Sequence, residues 1–280
     1  MRKTLLFTIL TAVCAVSAFG QRAVVAKEAR EFSDIIRSEF RNAETEAKWF
    51  ESAAQAATTP SPFNDTDSFG QNAQFIGSLY AGTVYIYRSC DPAVLQSELD
   101  LTLAADDKCV VHDYPTSSMA TSEFYDNMWE ITIPKNTVSN VIYPMLNNRI
   151  TWDASSGIPG QYGYLYIPRV TIVSTALNSP QAINPTTGLP MNGSFTTSLP
   201  GSRVLSQFSS TGDFANMTDS YASVAGRGFS RAYFRAIGLP NNVINDLFKK
   251  EMKLRFGIRV RAFGRIDYAD FSYTFRLLGQ

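Results

Sequence analysis

The sequence predicts an α+β protein that is mostly β, with an antiparallel sheet or sandwich body, a long N-terminal amphipathic helix, and short C-terminal helices before a terminal hairpin. Apolar residues recur every three or four positions near the N-terminus, which is typical of a helix. Most of the remaining chain consists of short aromatic and β-branched runs between Gly, Pro, Asn and Asp, which is typical of antiparallel strands and turns. Strict apolar and polar alternation over residues 271–277 indicates a final strand with one apolar face and one polar face.

The composition bounds the class of protein. The chain has 280 residues, of which 45% are hydrophobic, 12% are aromatic and 18% are charged. This length is sufficient for a substantial core. The composition is too apolar for a disordered chain, and it lacks the long apolar runs of a helical membrane protein.

Residues 1–20 have the order of a secretory signal peptide. Arg2 and Lys3 precede an apolar stretch over residues 5–16, and small residues follow it. The stretch is shorter than the roughly 20 apolar residues that a membrane-spanning helix needs. We therefore expect an exported protein, located in the periplasm, the outer envelope or the extracellular space.

Removal of this segment would take Cys14 with it and leave two cysteines, Cys90 and Cys109. Two cysteines in an oxidising compartment are most simply interpreted as one disulfide, which contributes on the order of 3 kcal/mol for a short loop. The sequence therefore predicts a Cys90–Cys109 bridge.

Residues 21–59 are predicted to form one amphipathic helix, which ends before Pro60. Its apolar stripe runs from about residue 22 to residue 57, and at 1.5 Å per residue this part is roughly 54 Å long, which exceeds the body of a compact domain of this size. Its apolar seam would bind a partner surface or lie along its own sheet. The seam residues that we predict to bind are Phe32, Ile36, Phe40 and Phe50.

Residues 60–225 are predicted to form the β-rich body. Candidate strands cover residues 74–79, 83–88, 129–133, 149–152 and 162–175. Asp91 followed by Pro92 predicts the start of a short helix between the two cysteines. Residues 178–213 are dense in Ser, Thr, Pro, Gly and Asn, which indicates a polar loop that is flexible or ordered by a partner.

Residues 226–280 are predicted to form a basic segment of two short helices, at 226–238 and 241–253, followed by a β-hairpin from strands at 253–263 and 267–278. The charge is polarised. Residues 21–225 carry 12 basic and 21 acidic side chains, a net charge of −9, whereas residues 226–280 carry 11 basic and 4 acidic side chains, a net charge of +7. The predicted basic surface consists of Arg227, Arg231, Arg235, Arg259 and Arg261, of which the first three lie at helical steps of four.

This charge distribution suggests three kinds of partner: an acidic protein subunit, the acidic portion of a neighbouring copy, or an acidic envelope polymer or lipid headgroup. Internal neutralisation of the basic segment by the acidic body is the alternative. Export removes the ordinary encounter with nucleic acid, so we do not expect nucleic acid as a partner.

The chain offers little catalytic chemistry. His112 is the single histidine, which we interpret as a half-exposed residue at a strand end, and its spacing from Cys109 is a weak metal signal. Glu123, Asp126 and Glu130 would supply an acid and base pair for glycoside hydrolysis or form a solvated face. We assign no catalytic residue, metal ligand or cofactor.

Three alternating tyrosines form a separate candidate. Tyr162, Tyr164 and Tyr166 would stack on a carbohydrate or form a sheet face whose hydroxyls reach solvent.

The sequence favours an exported, non-enzymatic structural or assembly subunit of a cell-envelope or surface complex that acts through protein–protein contacts. The alternatives are an outer-membrane β-barrel and a secreted carbohydrate-active hydrolase.

Overall fold

The computed structural model describes residues 74–113, 120–154, 160–209 and 219–280. The predicted signal peptide (1–20), the predicted helix (21–59) and its seam residues Phe32, Ile36, Phe40 and Phe50 lie outside the described residues and stay predictions. The elements in chain order are β1 (Gln74–Tyr87), α1 (Pro92–Leu99), β2 (Lys108–Val111), β3 (Thr121–Ile133), β4 (Val141–Asp153), β5 (Gly160–Val173), a 3₁₀ helix (Thr175–Asn178), β6 (Ser194–Ser198), β7 (Arg203–Ser209), β8 (Asp219–Gly226), β9 (Phe229–Ser230), α2 (Arg231–Ala236), α3 (Asn241–Lys249), β10 (Met252–Gly264) and β11 (Tyr268–Gly279).

The strands form two sheets. Sheet A has the order β2–β1–β11–β4–β8, with β9 also paired to β4, and sheet B has the order β3–β10–β5–β6, with β7 also paired to β5. Every pairing is antiparallel except that of β1 with β2. The prediction of a mostly β protein with few short helices is confirmed.

The two sheets pack face to face through aromatic side chains. The rings of Phe256 in sheet B and Phe275 in sheet A stack with centroids 3.9 Å apart. The ring centroids of Tyr164 and Tyr166 in sheet B lie 5.5 and 5.8 Å from the ring centroid of Phe271 in sheet A. Large buried aromatic side chains dominate the energetics of such a core, so this interface fixes which face of each sheet is inner and which is outer.

The prediction of a terminal hairpin was wrong. Both predicted strands exist, but β10 pairs with β3 and β5 in sheet B, while β11 pairs with β1 and β4 in sheet A. The chain crosses between the sheets at Gly264, whose φ of +63° is a backbone conformation that favours glycine. A Cβ there would meet the carbonyl oxygen of Gln161 at 1.7 Å. This corner makes β10 and β11 central strands of different sheets.

The segment between β1 and β2 was predicted well. Asp91 caps α1 by accepting a hydrogen bond from the backbone N–H of Ala93 at 2.8 Å, and Pro92 occupies the first turn. Cys90 and Cys109 form the predicted disulfide, with Cα atoms 5.8 Å apart. The bridge ties the start of this excursion to β2.

This excursion covers part of the outer face of sheet A. Leu95, Leu99 and Leu101 pack in one cluster with Tyr85, Tyr87 and Tyr268 of β1 and β11. Of the helices in the described ranges, none combines the length and apolarity needed to cross a membrane.

The predicted polar loop 178–213 contains two strands. β6 and β7 lie end to end along one edge of β5, and Met191, Phe195 and Leu199 are buried. Residues 210–213 lie outside the described residues. Backbone pairing to β5, which a composition rich in Ser and Thr does not reveal, orders this segment up to Ser209.

Candidate protein interaction surface

The outer face of sheet B is basic because of the alternation along β10. Leu254, Phe256, Ile258 and Val260 point into the core and are at most 1% exposed. Successive strand residues point to opposite faces, so Lys253, Arg255, Arg259 and Arg261 lie on the outer face. A single central strand therefore lines this face with four cations.

These cations fall into two pairs with different surroundings. Glu130 of β3 accepts hydrogen bonds from Lys253 Nζ at 3.1 Å and from Arg255 Nε at 2.7 Å. The hydrogen bond from Arg255, and then that from Lys253, lowers the pKa of Glu130 below its ordinary value. Arg259 and Arg261 are exposed, and neither makes an ion pair or hydrogen bond to any residue that the structure describes. One end of the face is thus partly neutralised by a carboxylate, whereas the other end has no carboxylate partner among the described residues.

A third arginine joins the charged end. Arg169 of β5 is opposite Gly257 of β10, and its guanidinium carbon lies 5.1 Å from the ring centroid of Phe124 on β3. Gly257 is required here because a Cβ would meet the carbonyl oxygen of Tyr125 at 2.5 Å, where β3 bulges over β10.

Aromatic rings accompany the three arginines. Phe124 is 44% exposed, and the ring centroid of Phe263 lies 5.9 Å from the guanidinium carbon of Arg261. Arginine and aromatic side chains are enriched in protein interfaces. We name this surface the basic–aromatic face, and it consists of Phe124, Arg169, Arg259, Arg261 and Phe263.

The other predicted basic residues lie elsewhere. Arg227 precedes α2, because the side chain of Ser230 caps that helix at the backbone N–H of Tyr233. The predicted helical stripe through Arg227, Arg231 and Arg235 was therefore wrong in its first member.

All three of these arginines have local partners. Arg227 Nη1 donates to the carbonyl oxygen of Ser198 at 2.6 Å, and its guanidinium carbon lies 4.9 Å from the ring centroid of Tyr233. Arg231 Nε donates to the carbonyl oxygen of Ser139 at 2.6 Å, and Arg235 Nε donates to Asn241 Oδ1 at 3.2 Å. These hydrogen bonds tie the three arginines to the structure around α2, so the arginines do not form the open basic surface that was predicted.

The three tyrosines of β5 face the core, which contradicts both interpretations of their pattern. Tyr162, Tyr164 and Tyr166 are each 0% exposed. Their hydroxyls are satisfied internally: Tyr162 donates to Gln207 Oε1 at 2.6 Å, Tyr164 accepts from Arg203 Nε at 3.1 Å, and Tyr166 donates to Asn148 Oδ1 at 2.5 Å. Leu165 and Ile167 alternate with them, so both faces of this strand are apolar and the pattern does not reveal the inner one.

His112 is buried at 1% exposure rather than half-exposed. Its Nδ1 lies 3.0 Å from Thr121 Oγ1, and its Nε2 lies 2.8 Å from the carbonyl oxygen of Gly264. Its role is to hold the corner between β10 and β11. Cys109 is bridged, and the described residues contain no group of three side chains suited to a metal ion.

The acidic residues of β3 do not converge. Glu123 lies opposite the inward-facing Val260, whereas Glu130 lies opposite the outward-facing Arg255, so the two carboxylates are on different faces of the strand. Glu130 is held ionised by its two cations. A convergent acid and base pair is therefore not formed by these two residues.

An acidic surface lies on the opposite side of the sandwich. Residues 88–113, which cover part of the outer face of sheet A, carry six acidic and two basic side chains, a net charge of −4. We name this segment the acidic lobe. Its position places negative charge and the basic–aromatic face on the two outer faces of the molecule.

The comparisons with known proteins identify no family. No family model matches the chain, and no curated protein matches it. Among solved structures, the VP2 subviral particle of infectious bursal disease virus has a TM-score of 0.27 and 8% sequence identity, with 79% of this chain and 37% of that chain covered. The Gx strain of the same virus gives a TM-score of 0.12 at 7% identity, with 57% of this chain and 37% of that chain covered. The chain spans little more than a third of these proteins, and scores this low carry no argument about its fold or assembly.

Proposed function

We propose that this chain is an exported, non-enzymatic assembly subunit of a cell-envelope or surface complex, and that it acts through protein–protein contacts. The observation that carries the proposal is the basic–aromatic face, in which Arg169, Arg259 and Arg261 have no carboxylate partner among the described residues. The Cys90–Cys109 disulfide is compatible with export.

The partner that this surface favours is a second copy of the chain. The acidic lobe and the basic–aromatic face lie on opposite sides of a rigid sandwich, so one molecule offers both halves of a complementary contact. Contact between different surfaces of two copies is heterologous and extends into rings or filaments. Complementary charge would set the orientation and speed of encounter, while the exposed rings would supply apolar contact.

Charge reversal on the basic–aromatic face tests this proposal. We expect wild-type protein to self-associate with increasing concentration, and the association to weaken as salt rises, because exposed charges are screened beyond about 8 Å at physiological ionic strength. The double variant Arg259→Glu with Arg261→Glu should shift sedimentation-velocity profiles to the monomer.

The matched control also reverses two positive charges, but at positions outside the basic–aromatic face. Lys135→Glu with Lys249→Glu alters two exposed lysines outside the basic–aromatic face and should leave association unchanged. Crosslinking in the native cell should recover neighbouring copies or an acidic subunit. A wild-type protein that stays monomeric at all concentrations and yields no crosslinked neighbour would rule out the assembly role.

A further inference from the structure

The edge strands of the two sheets are protected to different degrees. The second edge of sheet A is formed by β8, which carries Asp219, and by the two-residue β9. An edge strand offers unpaired backbone N–H and C=O groups, and natural proteins block such edges with charges, bulges, short strands or covering groups. β2 is only four residues long and is bridged through Cys109. β3 has the bulge over Gly257 and carries Glu123 and Asp126. β6 is covered at its end, because Arg227 binds the carbonyl oxygen of Ser198.

β7 carries no charge on its outer side and has no bulge in its pairing with β5, and its one charged residue, Arg203, points inward. Among the described residues it pairs with β5 alone. Val204 and Phe208 are 64% and 75% exposed. They alternate with Leu205, which packs against the core, so they lie on the outer face of sheet B with Ser206 between them. No charged residue lies on this outer side of β7.

The inner side of β7 is anchored, so this edge is not a loose segment. Gln207 accepts a hydrogen bond from the hydroxyl of Tyr162, and Arg203 donates one to the hydroxyl of Tyr164. Both tyrosines are 0% exposed. The unprotected edge is therefore presented by a strand whose core side is fixed.

We propose that β7 pairs antiparallel with β7 of a second copy, about a two-fold axis at Ser206, so that the two copies of sheet B form one continuous sheet. In this register Ser206 lies opposite Ser206 of the second copy, and Val204 lies opposite Phe208 of the second copy. The two-fold symmetry produces the contact between Val204 and Phe208 twice, and these contacts cover the two exposed large apolar side chains of the strand. A two-fold axis at Leu205 or at Gln207 would not place Val204 opposite Phe208 of the second copy.

Charge favours a second copy as the occupant of this edge. Like charges directly opposite each other destabilise a strand pair, and the outer side of β7 brings none together. The same pairing at β3 would bring Glu123 and Asp126 near their own copies. This inference names one specific contact within the proposed assembly function, and it does not use the basic–aromatic face.

A disulfide across the axis tests the register. In the full chain with Cys14→Ser, Ser206→Cys places two thiols opposite each other at the distance of a cross-strand pair, about 5 Å between Cβ atoms. We expect a disulfide-linked dimer on a non-reducing gel, joined through position 206 by mass spectrometry. Ser122→Cys, on the outer face of β3 at the opposite edge, is the matched control and should give no disulfide-linked dimer on the same gel.

A second pair of variants tests the apolar contact. Val204→Lys with Phe208→Lys would set lysine against lysine across the axis, and we expect the dimer dissociation constant to rise about tenfold. Ile183→Lys with Leu189→Lys makes the same change at two other exposed apolar residues and should have no effect. Circular dichroism of each variant checks folding.

The outcomes separate this inference from the proposed function. A position-206 disulfide that persists in Arg259→Glu with Arg261→Glu supports the edge pairing even where charge-guided docking fails. Absence of the disulfide, equal crosslinking at positions 206 and 122, or equal weakening by both lysine doubles would overturn the edge pairing, whatever the result for the basic–aromatic face.

Discussion

The outer faces of the two sheets differ in what lies on them. On sheet A, the outward residues of β11 include Tyr268, Asp270, Ser272 and Thr274, and none is more than 4% exposed. On sheet B, the outward residues include Arg259, Arg261 and Phe124, and these are exposed. Polar residues are thus buried on one outer face, while arginine and phenylalanine are open on the other. This contrast indicates that sheet B is the face available for partners.

The two outer faces should differ most in how much the free energy of unfolding falls when an apolar side chain is shortened to alanine. Leu99 of α1 is 0% exposed and packs with Tyr85, Tyr87 and Tyr268 over sheet A. We expect Leu99→Ala to lower the free energy of unfolding by about 2–5 kcal/mol, because a buried side chain is removed and a cavity remains. Val204→Ala on the open face should change it by less than about 0.5 kcal/mol. Urea denaturation of both variants measures the difference, and equal effects would contradict the assignment of covered and open faces.

The second largest difference should be in how the stability contribution of each face depends on pH. Asp270 of β11 is 2% exposed. Burial raises its pKa from 3.8 to about 7, although the positive charge of Arg149 opposes the rise. The hydroxyls of Tyr268 and Thr151 also oppose the rise, but together with Arg149 they offset only part of the cost of burying the ionised carboxylate.

The sign of this pH effect follows from the raised pKa. The native state holds a proton that the unfolded chain releases between pH 4 and pH 7, so this residue's contribution to stability is fully present below about pH 4 and is lost as the pH rises through about 7. The loss is on the order of 2–4 kcal/mol. Asp270→Asn should remove this slope, so that the variant gains stability relative to wild type as the pH rises. Thermal unfolding from pH 4 to pH 8 measures the slope, with Asp126→Asn on exposed β3 as the control. Parallel curves for wild type and Asp270→Asn would refute the effect.

The smallest change in stability is expected when Glu130 on the outer face of sheet B is replaced. Arg255 and Lys253 lower its pKa, so its contribution is present above the unfolded pKa and is lost as the pH falls through the folded pKa. Exposed ion pairs contribute less than about 1 kcal/mol because solvent screens them. Glu130→Gln should therefore change stability little at pH 7, and it should leave Lys253 and Arg255 without a carboxylate partner, which raises the net charge of the outer face of sheet B by one. Chemical denaturation at pH 7 checks the first effect, and a loss well above 1 kcal/mol would show that this ion pair is structural.

The sequence predicted features that depend on neighbouring residues. The Asp91 cap, the Pro92 helix start and the alternation of β11 are set within a few positions of the chain, and each is confirmed. The Cys90–Cys109 bridge closes a short loop and is likewise confirmed.

Features that depend on distant residues were not predictable in the same way. The alternation of β10 and β11 indicated two strands, but nothing local distinguishes a hairpin from a crossing between sheets, which Gly264 and the buried His112 make possible. Arg169 was missed as a member of the basic–aromatic face, because only the pairing of β5 with β10 brings it beside Arg259 and Phe124. Its place after Pro168, within an otherwise apolar strand, was the available signal.

The central position of β11 has a consequence for how the chain acquires its structure. Gln74 pairs with Gly279, and β4 pairs along the other side of the same strand. Among the described residues, β1 and β4 are joined through β11, which the ribosome makes after both of them, so sheet A stays open until β11 has been made. Long-range pairings of this kind form slowly, and a chain whose sheet A stays open until β11 is made is in a suitable state for the export that we propose.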